Sequence, residues 1–310
     1  MGESLYPAPA PALTLPASAP GPGARAVGLL RAARPKQWLK NLLVLAAPGT
    51  AGMLTDPGVL GWTVLTFVLF CLAASGTYLL NDARDVHHDR LHERKRNRPV
   101  AAGIVPVPLA VGTGVALVAG ALLVAIASGN LPLLAVLLGY LALTTAYTLW
   151  LKDITVVDIA TVAGCHVLRA VAGGVVIGVP ITGWFIIVVS LAALLVVAGK
   201  REAELRNPGS EGARASLNGY SRSYLVQIRT MASAAMIVTY CLWALEGGAA
   251  HEPNGFHAAS IVPFFVFVLR YHQLVDRGVG EEPEEIALRD RPLQLCLLAL
   301  VGLIGVGIYA

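Results

Sequence analysis

The sequence predicts an all-α integral membrane protein, a bundle of nine transmembrane helices. Three observations lead there. Of 310 residues, 56% are hydrophobic and only 14% are charged, where a soluble chain carries about 25% charged residues. Mean hydropathy is +0.67. The apolar residues are gathered into runs of about 20, the length that crosses roughly 30 Å of hydrocarbon. This composition excludes a disordered chain, which has too little apolar surface to bury. It also excludes a disulfide scaffold, because the four cysteines, Cys71, Cys165, Cys241 and Cys296, all lie inside apolar runs.

Residues 1–24 are rich in Pro and Ala and nearly uncharged. They read as a disordered tail and not as a signal peptide, since no basic segment leads into an unbroken apolar stretch. The membrane domain takes residues 25–310. Residues 25–35 set Arg25, Arg31 and Arg34 among Val27, Leu29 and Leu30, the pattern of a short amphipathic helix on the membrane surface. Trp38 comes next as an interfacial anchor. Nine candidate spans fall at about 36–54, 57–80, 106–128, 131–150, 154–178, 181–199, 223–247, 258–275 and 291–309. The first is the weakest, because it opens on charges and contains Pro48. With the N-terminus in the cytoplasm, none of the 23 Lys and Arg falls in an outer loop. The positive-inside rule therefore predicts a cytoplasmic N-terminus and an outer C-terminus. Prolines at 99, 106, 108, 180 and 292 mostly mark span ends.

The segment NDARDVHHDRLHERKRNRPVAAG, residues 81–103, carries the densest chemistry. Asn81, Asp85 and Asp89 stand at i, i+4 and i+8. Asp82, Asp85 and Asp89 stand at i, i+3 and i+7. On a helix either set shares one face. Oxygen side chains crowded on one face repel one another, and a hard cation relieves the repulsion. Mg²⁺ takes a few carboxylates together with retained waters and substrate phosphates. Arg90, Arg94, Lys95, Arg96 and Arg98 come directly after. Carboxylates for a metal beside cations for phosphate form the layout that a diphosphate substrate needs. The competing interpretation is a solvated loop whose acids and bases pair among themselves. His87, His88 and His92 lack the third ligand that zinc requires and belong to the loop surface.

A second charged stretch, AGKREAEL at 198–205, brings Lys200, Arg201, Glu202 and Glu204 to the same side as Lys152 and Asp85. Lys200 and Glu204 are i, i+4, as are Glu202 and Arg206, which is also the spacing of plain helix-surface pairs. Converging loops on one membrane face make a vestibule. Within the spans a charge costs about 2.5–3.5 kcal/mol on insertion scales, so Arg169 and Asp158 must face the bundle interior. Eleven positions along a helix is about 16 Å, too far for these two to bond. Arg169 is therefore expected to meet another span or an anionic ligand. Gly164, Gly173 and Gly174 allow close helix approach. RPKQWLKN, 34–41, sets Lys36, Lys40 and Asn41 at the cytoplasmic mouth, as snorkelling lysines or as a phosphate clamp opening to lipid. GEEPEEIALRD, 280–290, reads as a solvated acidic loop.

The pattern Asn81-Asp82-x-x-Asp85-x-x-x-Asp89 after the second span resembles the first aspartate-rich motif of the UbiA superfamily of membrane prenyltransferases, and the similarity runs over about residues 30–310. The resemblance implies a nine-helix bundle with a cytoplasmic cap over a central cavity, Mg²⁺ on a diphosphate, and a lateral opening for a polyprenyl chain. Tyr147, with Lys152 and Asp158, matches the superfamily's middle helices. Aromatic prenyltransferases of the superfamily carry a second aspartate-rich motif after the sixth span. Here that place reads Lys200-Arg201-Glu202-Ala203-Glu204, with two cations where a second metal is expected. Together with RPKQWLKN, NDARD, KRNRP, AGKREAEL and EEIALRD, this departure is similar to the branch that moves phosphoribosyl from phosphoribosyl diphosphate to decaprenyl phosphate. That branch works in the bacterial inner (plasma) membrane and feeds cell-wall arabinan synthesis.

The resemblance also implies roles for individual residues. Asp85, Asp82 and Asp89 are the expected catalytic acids, holding Mg²⁺ with Asn81. Lys95, Arg98, Lys152, Lys200 and Arg201 meet phosphate oxygens, Glu202 or Glu204 orients the ribose hydroxyls, and Lys36, Lys40 or Arg169 holds the lipid phosphate. The expected partners are phosphoribosyl diphosphate, a polyprenyl (decaprenyl) phosphate and membrane lipid, with no nucleic acid; the chain is also compatible with a homo-oligomer. An aromatic prenyltransferase of quinone or haem synthesis shares the fold and first motif, but the cationic second motif opposes it. A membrane transporter would explain Arg169 and Asp158, but outer loops without Lys or Arg give it no outward anion site.

Overall fold

The computed structural model describes residues 21–91, 95–206, 215–246, 254–280 and 282–310. Residues 1–20, His92, Arg94 and most of 248–257, the stretch expected as an outer loop, lie outside them. Every regular element among the described residues is helical. In chain order the α-helices are α1 (Pro22–Ala32), α2 (Ala46–Thr50), α3 (Pro57–Arg84), α4 (Val86–Leu91), α5 (Val107–Ala127), α6 (Leu131–Leu149), α7 (Val157–Val176), α8 (Gly183–Arg206), α9 (Arg222–Glu246), α10 (Gly255–Asp276), α11 (Pro283–Arg289) and α12 (Arg291–Tyr309). Short 3₁₀ helices stand between them, including Pro35–Leu45 and Leu151–Asp153. Eight helices, α3, α5 to α10 and α12, are long and apolar enough to cross a membrane. The chain is a multi-pass membrane protein.

Local chemistry sets the helix starts. Pro57 occupies the first turn of α3, where its missing N–H costs nothing, and Asp56 caps that helix by accepting from Gly58 N at 2.7 Å and Val59 N at 2.9 Å. Asn130, Asn254 and Asp290 cap α6, α10 and α12 in the same way.

The segment expected to span first, 36–54, is not one long helix. It runs as the 3₁₀ helix Pro35–Leu45 and then as the short α2. Pro48 explains part of this. It has no N–H to give Val44, four residues back, and its ring crowds that carbonyl. The Val44 carbonyl instead lies against α7, so close that a Cβ on Gly173 would stand 1.8 Å from its oxygen. Gly174, beside it, is hemmed by Ala47 and Ile181.

The core has two main bodies. Around α3, residues Leu69, Phe70 and Ala73 pack with Val44, Leu133, Leu137 and Tyr140. In the second half of the chain, Leu195, Met236, Tyr240, Phe264, Val268 and Tyr271 form a separate cluster. Glycine lets α3 and α5 touch: a Cβ on Gly76 would lie 2.7 Å from the Gly114 carbonyl oxygen. Large apolar side chains such as Leu123, Met231, Val262 and Leu298 remain on the outside, as a lipid-facing surface requires.

The close approach at Gly173 makes a prediction. Gly173→Ala should destabilise the detergent-solubilised protein by about 1–3 kcal/mol, the range for overpacking a tight contact. Gly139→Ala, on a face of α6 with nothing within 4 Å, should stay within about 0.5 kcal/mol. Thermal unfolding of the two variants in one detergent checks both.

Candidate active site at the C-terminal ends of α3 and α6

A cleft of about 180 Å³ opens where α3 and α6 end. Its acidic wall is Asn81, Asp82, Asp85 and Asp89, and its basic wall is Arg34, Lys95, Arg98 and Lys152. Tyr78, Tyr147 and Thr148 complete the lining. The whole expected acidic set therefore meets three of the expected phosphate cations in one place.

The acids arrive there on a broken helix. α3 ends at Arg84, Asp85 is its C-cap, and α4 starts at Val86. The turn stays connected because Asp85 N donates to the Asn81 carbonyl and Asp89 N to the Asp85 carbonyl, both at 2.9 Å. Asp82 is buried between Arg34 at 2.6 Å and Arg98 at 3.2 Å. Arg98 also binds Asp89 at 2.7 Å. These pairs engage two of the four expected metal ligands, since Asp82 and Asp89 already neutralise guanidinium groups. Among the described residues no three acidic, His or Cys side chains are grouped as a metal cage. Asn81 and Asp85 are left. Asn81 donates its amide nitrogen to Thr148 Oγ1 at 3.3 Å, which keeps the amide oxygen available. Asp85 has no ion pair among the described residues. Two hard oxygen ligands suit Mg²⁺, which retains waters and takes further oxygens from phosphate.

Arg34 belongs to this site and not to the amphipathic helix. α1 stops at Ala32, and Arg34 turns with φ 55° before Pro35, where proline disfavours an α conformation in the preceding residue. Its guanidinium stacks 4.9 Å from the Tyr78 ring centre. The Arg-Pro pair was the sequence signal for that turn; nothing in the sequence pointed to Tyr78 or Thr148.

The second charged stretch is more structural than expected. Arg201 is buried, and its guanidinium donates to Asp158 at 2.7 Å, Glu204 at 2.9 Å and the Tyr147 hydroxyl at 3.1 Å. It reaches the cleft only through Tyr147. Glu202 is fully buried among Arg206 at 2.5 Å, Arg229 at 3.1 Å and Arg222 at 3.5 Å, so arginines already engage the carboxylate expected to orient a ribose. Lys200 is not among the residues that line the cleft, and its charge acts on Lys40 together with those of Arg169 and Arg34.

Arg169 likewise finds protein partners. It donates to Asn41 at 2.7 Å, to the Cys165 carbonyl at 2.7 Å and to the Tyr140 hydroxyl at 3.0 Å, and lies over the Tyr140 ring. Arg169 and Asn41 thus satisfy each other, and the expectation that Arg169 holds a lipid phosphate gives way to a packing role. The acidic segment at 280–290 is not a solvated loop. α11 docks on the first 3₁₀ helix, with Glu284 buried against Lys40 and Glu285 bonded to Lys36 at 3.0 Å. Lys36 holds the Glu285 carboxyl below the usual carboxylate range. Arg289 points outward to Glu285 at 3.6 Å.

The signature of the UbiA prenyltransferase family matches residues 42–289, and the chain belongs to that family. Among its relatives, the decaprenyl-phosphate phosphoribosyltransferase of Mycolicibacterium smegmatis is 43% identical over 296 residues, covering 91% of this chain and 92% of that protein. The protein of the same name from Corynebacterium glutamicum is 41% identical over 290 residues, covering 92% and 87%. The fold matches a UbiA homolog from Archaeoglobus fulgidus, solved bound to GPP and Mg²⁺, with a TM-score of 0.70 at 18% identity over 91% of this chain and 99% of that one.

The unequal pairing of the acids can be tested. Asp82→Asn leaves Arg34 and Arg98 short of a carboxylate inside the protein. It should lower turnover, and stability by about 1–3 kcal/mol, between the scales of an exposed and a buried pair, because both arginines are partly exposed and Arg98 keeps Asp89. Asp85→Ala should abolish nearly all turnover with an unchanged melting temperature. Melting curves and turnover of both variants in detergent separate a structural acid from a ligand acid.

Proposed function

We propose that the chain transfers the 5-phosphoribosyl group from phosphoribosyl diphosphate to decaprenyl phosphate, giving decaprenylphosphoryl-5-phosphoribose and diphosphate for cell-wall arabinan. The observation that carries this is the cleft itself: two metal-type oxygens, Asn81 and Asp85, beside four cations from three segments of the chain. The named activity of relatives that match nearly end to end supports the same choice of substrates.

Asn81 and Asp85 would hold Mg²⁺, which when bound offsets the charge of the departing diphosphate. Lys95 and Lys152 bind phosphate oxygens of the donor, and Arg98 lies within reach of the same oxygens. The bond from ribose C1 to the diphosphate oxygen breaks with its electron pair leaving on oxygen, and C1 gains oxocarbenium character. An oxygen of the lipid phosphate attacks C1. That oxygen is already anionic, so no side chain need act as a strong base. Lys40, on the first 3₁₀ helix and paired with Glu284, and Lys200, whose charge acts on it, would draw the lipid phosphate towards the cleft. Counting residues 35–50 as the first of nine crossings would put the N-terminus and the cleft on one membrane face, which we take as the cytoplasmic one. The distribution of all 23 Lys and Arg supports that direction, and bacterial relatives support the plasma membrane as its location.

Purified protein with labelled phosphoribosyl diphosphate, decaprenyl phosphate and Mg²⁺ should move label into lipid, and EDTA should stop it. Product only from a labelled prenyl diphosphate and an aromatic acid would replace this assignment with an aromatic prenyltransferase.

A further inference from the structure

Lys152 enters the cleft from an unusual turn. It sits in the 3₁₀ helix Leu151–Asp153, and the turn closes at Val156 with φ 70°. A β-branched residue seldom adopts that conformation, because its side chain meets its own backbone. Such a residue persists only where neighbours hold it.

Two segments do so. The Tyr220 hydroxyl accepts from Val156 N at 2.6 Å and donates to Asp158. Ser216 donates to the Lys152 carbonyl at 2.7 Å. Gly219 lets the stretch of chain before α9 press against the turn, since a Cβ there would lie 2.2 Å from Thr155 Oγ1. The other oxygen of Asp158 accepts from Arg201, whose guanidinium also binds the cleft residue Tyr147. One buried chain of bonds thus runs from Val156 through Tyr220, Asp158 and Arg201 to Tyr147. Burial first, and then the bond to Asp158, push the Tyr220 phenol above the ordinary tyrosine range. It therefore keeps the proton it donates at any working pH.

We propose that Tyr220 is a positioning residue for the phosphate site of the donor. It holds the strained turn that presents Lys152 to the cleft, and shares with Arg201 the carboxylate that sets Tyr147 beside it. Tyr220 touches no substrate. The inference rests on the cleft being the donor site of the proposed transfer.

Tyr220→Phe keeps the ring and removes both hydrogen bonds. It should raise the KM for phosphoribosyl diphosphate about tenfold, the scale of one buried hydrogen bond, with the KM for decaprenyl phosphate unchanged. Amide exchange across 151–157 should quicken in the same variant without any substrate. Val156→Gly added to Tyr220→Phe should recover most of the donor KM, because glycine adopts φ 70° without help. Unchanged exchange in Tyr220→Phe, equal effects on both KM values, or no recovery in the double variant would each overturn the proposal. Failure of the unsubstituted protein to transfer phosphoribosyl would count against the reaction instead, and the exchange measurement would then decide alone whether Tyr220 holds the turn.

Discussion

A guanidinium and a carboxylate, both shut away from water, hold the cleft end of this bundle together: Arg201 at 2% exposure and Asp158 at 0%. Neither ion tolerates burial alone. Removing one partner of such a pair costs about 3–5 kcal/mol, because the other is left uncompensated. The pair joins α7 to α8, and its outer bonds reach α6 through Tyr147 and the segment before α9 through Tyr220. Four parts of the chain are thereby fixed around one ion pair, and the cleft residues Tyr147 and Lys152 are placed by it.

The same rule governs the other charges that lie deep in the bundle. Glu202 answers Arg229, Arg229 answers Asp276 at 2.7 Å, and Arg169 is met by Asn41, a carbonyl and an aromatic face. Apolar surroundings raise the cost of any unpaired polar group, so each of these partners is required. The cations that line the cleft lie instead on the connections between helices, nearer water.

Eight of the nine expected spans were legible in the sequence because composition alone marks them, and so was the charged lining at 81–98, where acids and bases succeed each other along one stretch. Tyr147 and Lys152 came from resemblance and meet that stretch in space. What the sequence concealed was pairing. Lys200 and Glu204 have i, i+4 spacing, but Glu204 bonds to Arg201, one turn position away. Asp82 and Asp89 share helical periodicity with Asp85 but are claimed by Arg34 and Arg98, and Arg34 lies 48 positions from its partner. No local pattern encodes such a contact. The failure of 36–54 as one helix was readable at Pro48, but the Val44 carbonyl lying on Gly173 was not. Tyr220 was invisible because it comes after a polar loop and its partners lie 62 and 64 positions away.

The arrangement of cations bears on which phosphate ester fits the cleft. Arg34 comes from the turn before the first 3₁₀ helix, Lys95 and Arg98 from the connection between α4 and α5, and Lys152 from the turn between α6 and α7. They ring the cleft from three sides, while Asn81 and Asp85 face them from α3. A prenyl diphosphate concentrates its charge at one end and would engage one side of that ring. Phosphoribosyl diphosphate carries a diphosphate at C1 and a phosphate at C5, separated by a sugar, so its charge is presented at two ends. Cations on separate segments answer that distribution, with the metal ligands serving the end that must leave. Arg201 extends the logic. Where the resemblance would place a second acidic motif, a fixed positive charge stands behind Tyr147. Asp158 and Glu204 are already neutralised by that guanidinium, which leaves a second divalent ion fewer carboxylates to bind.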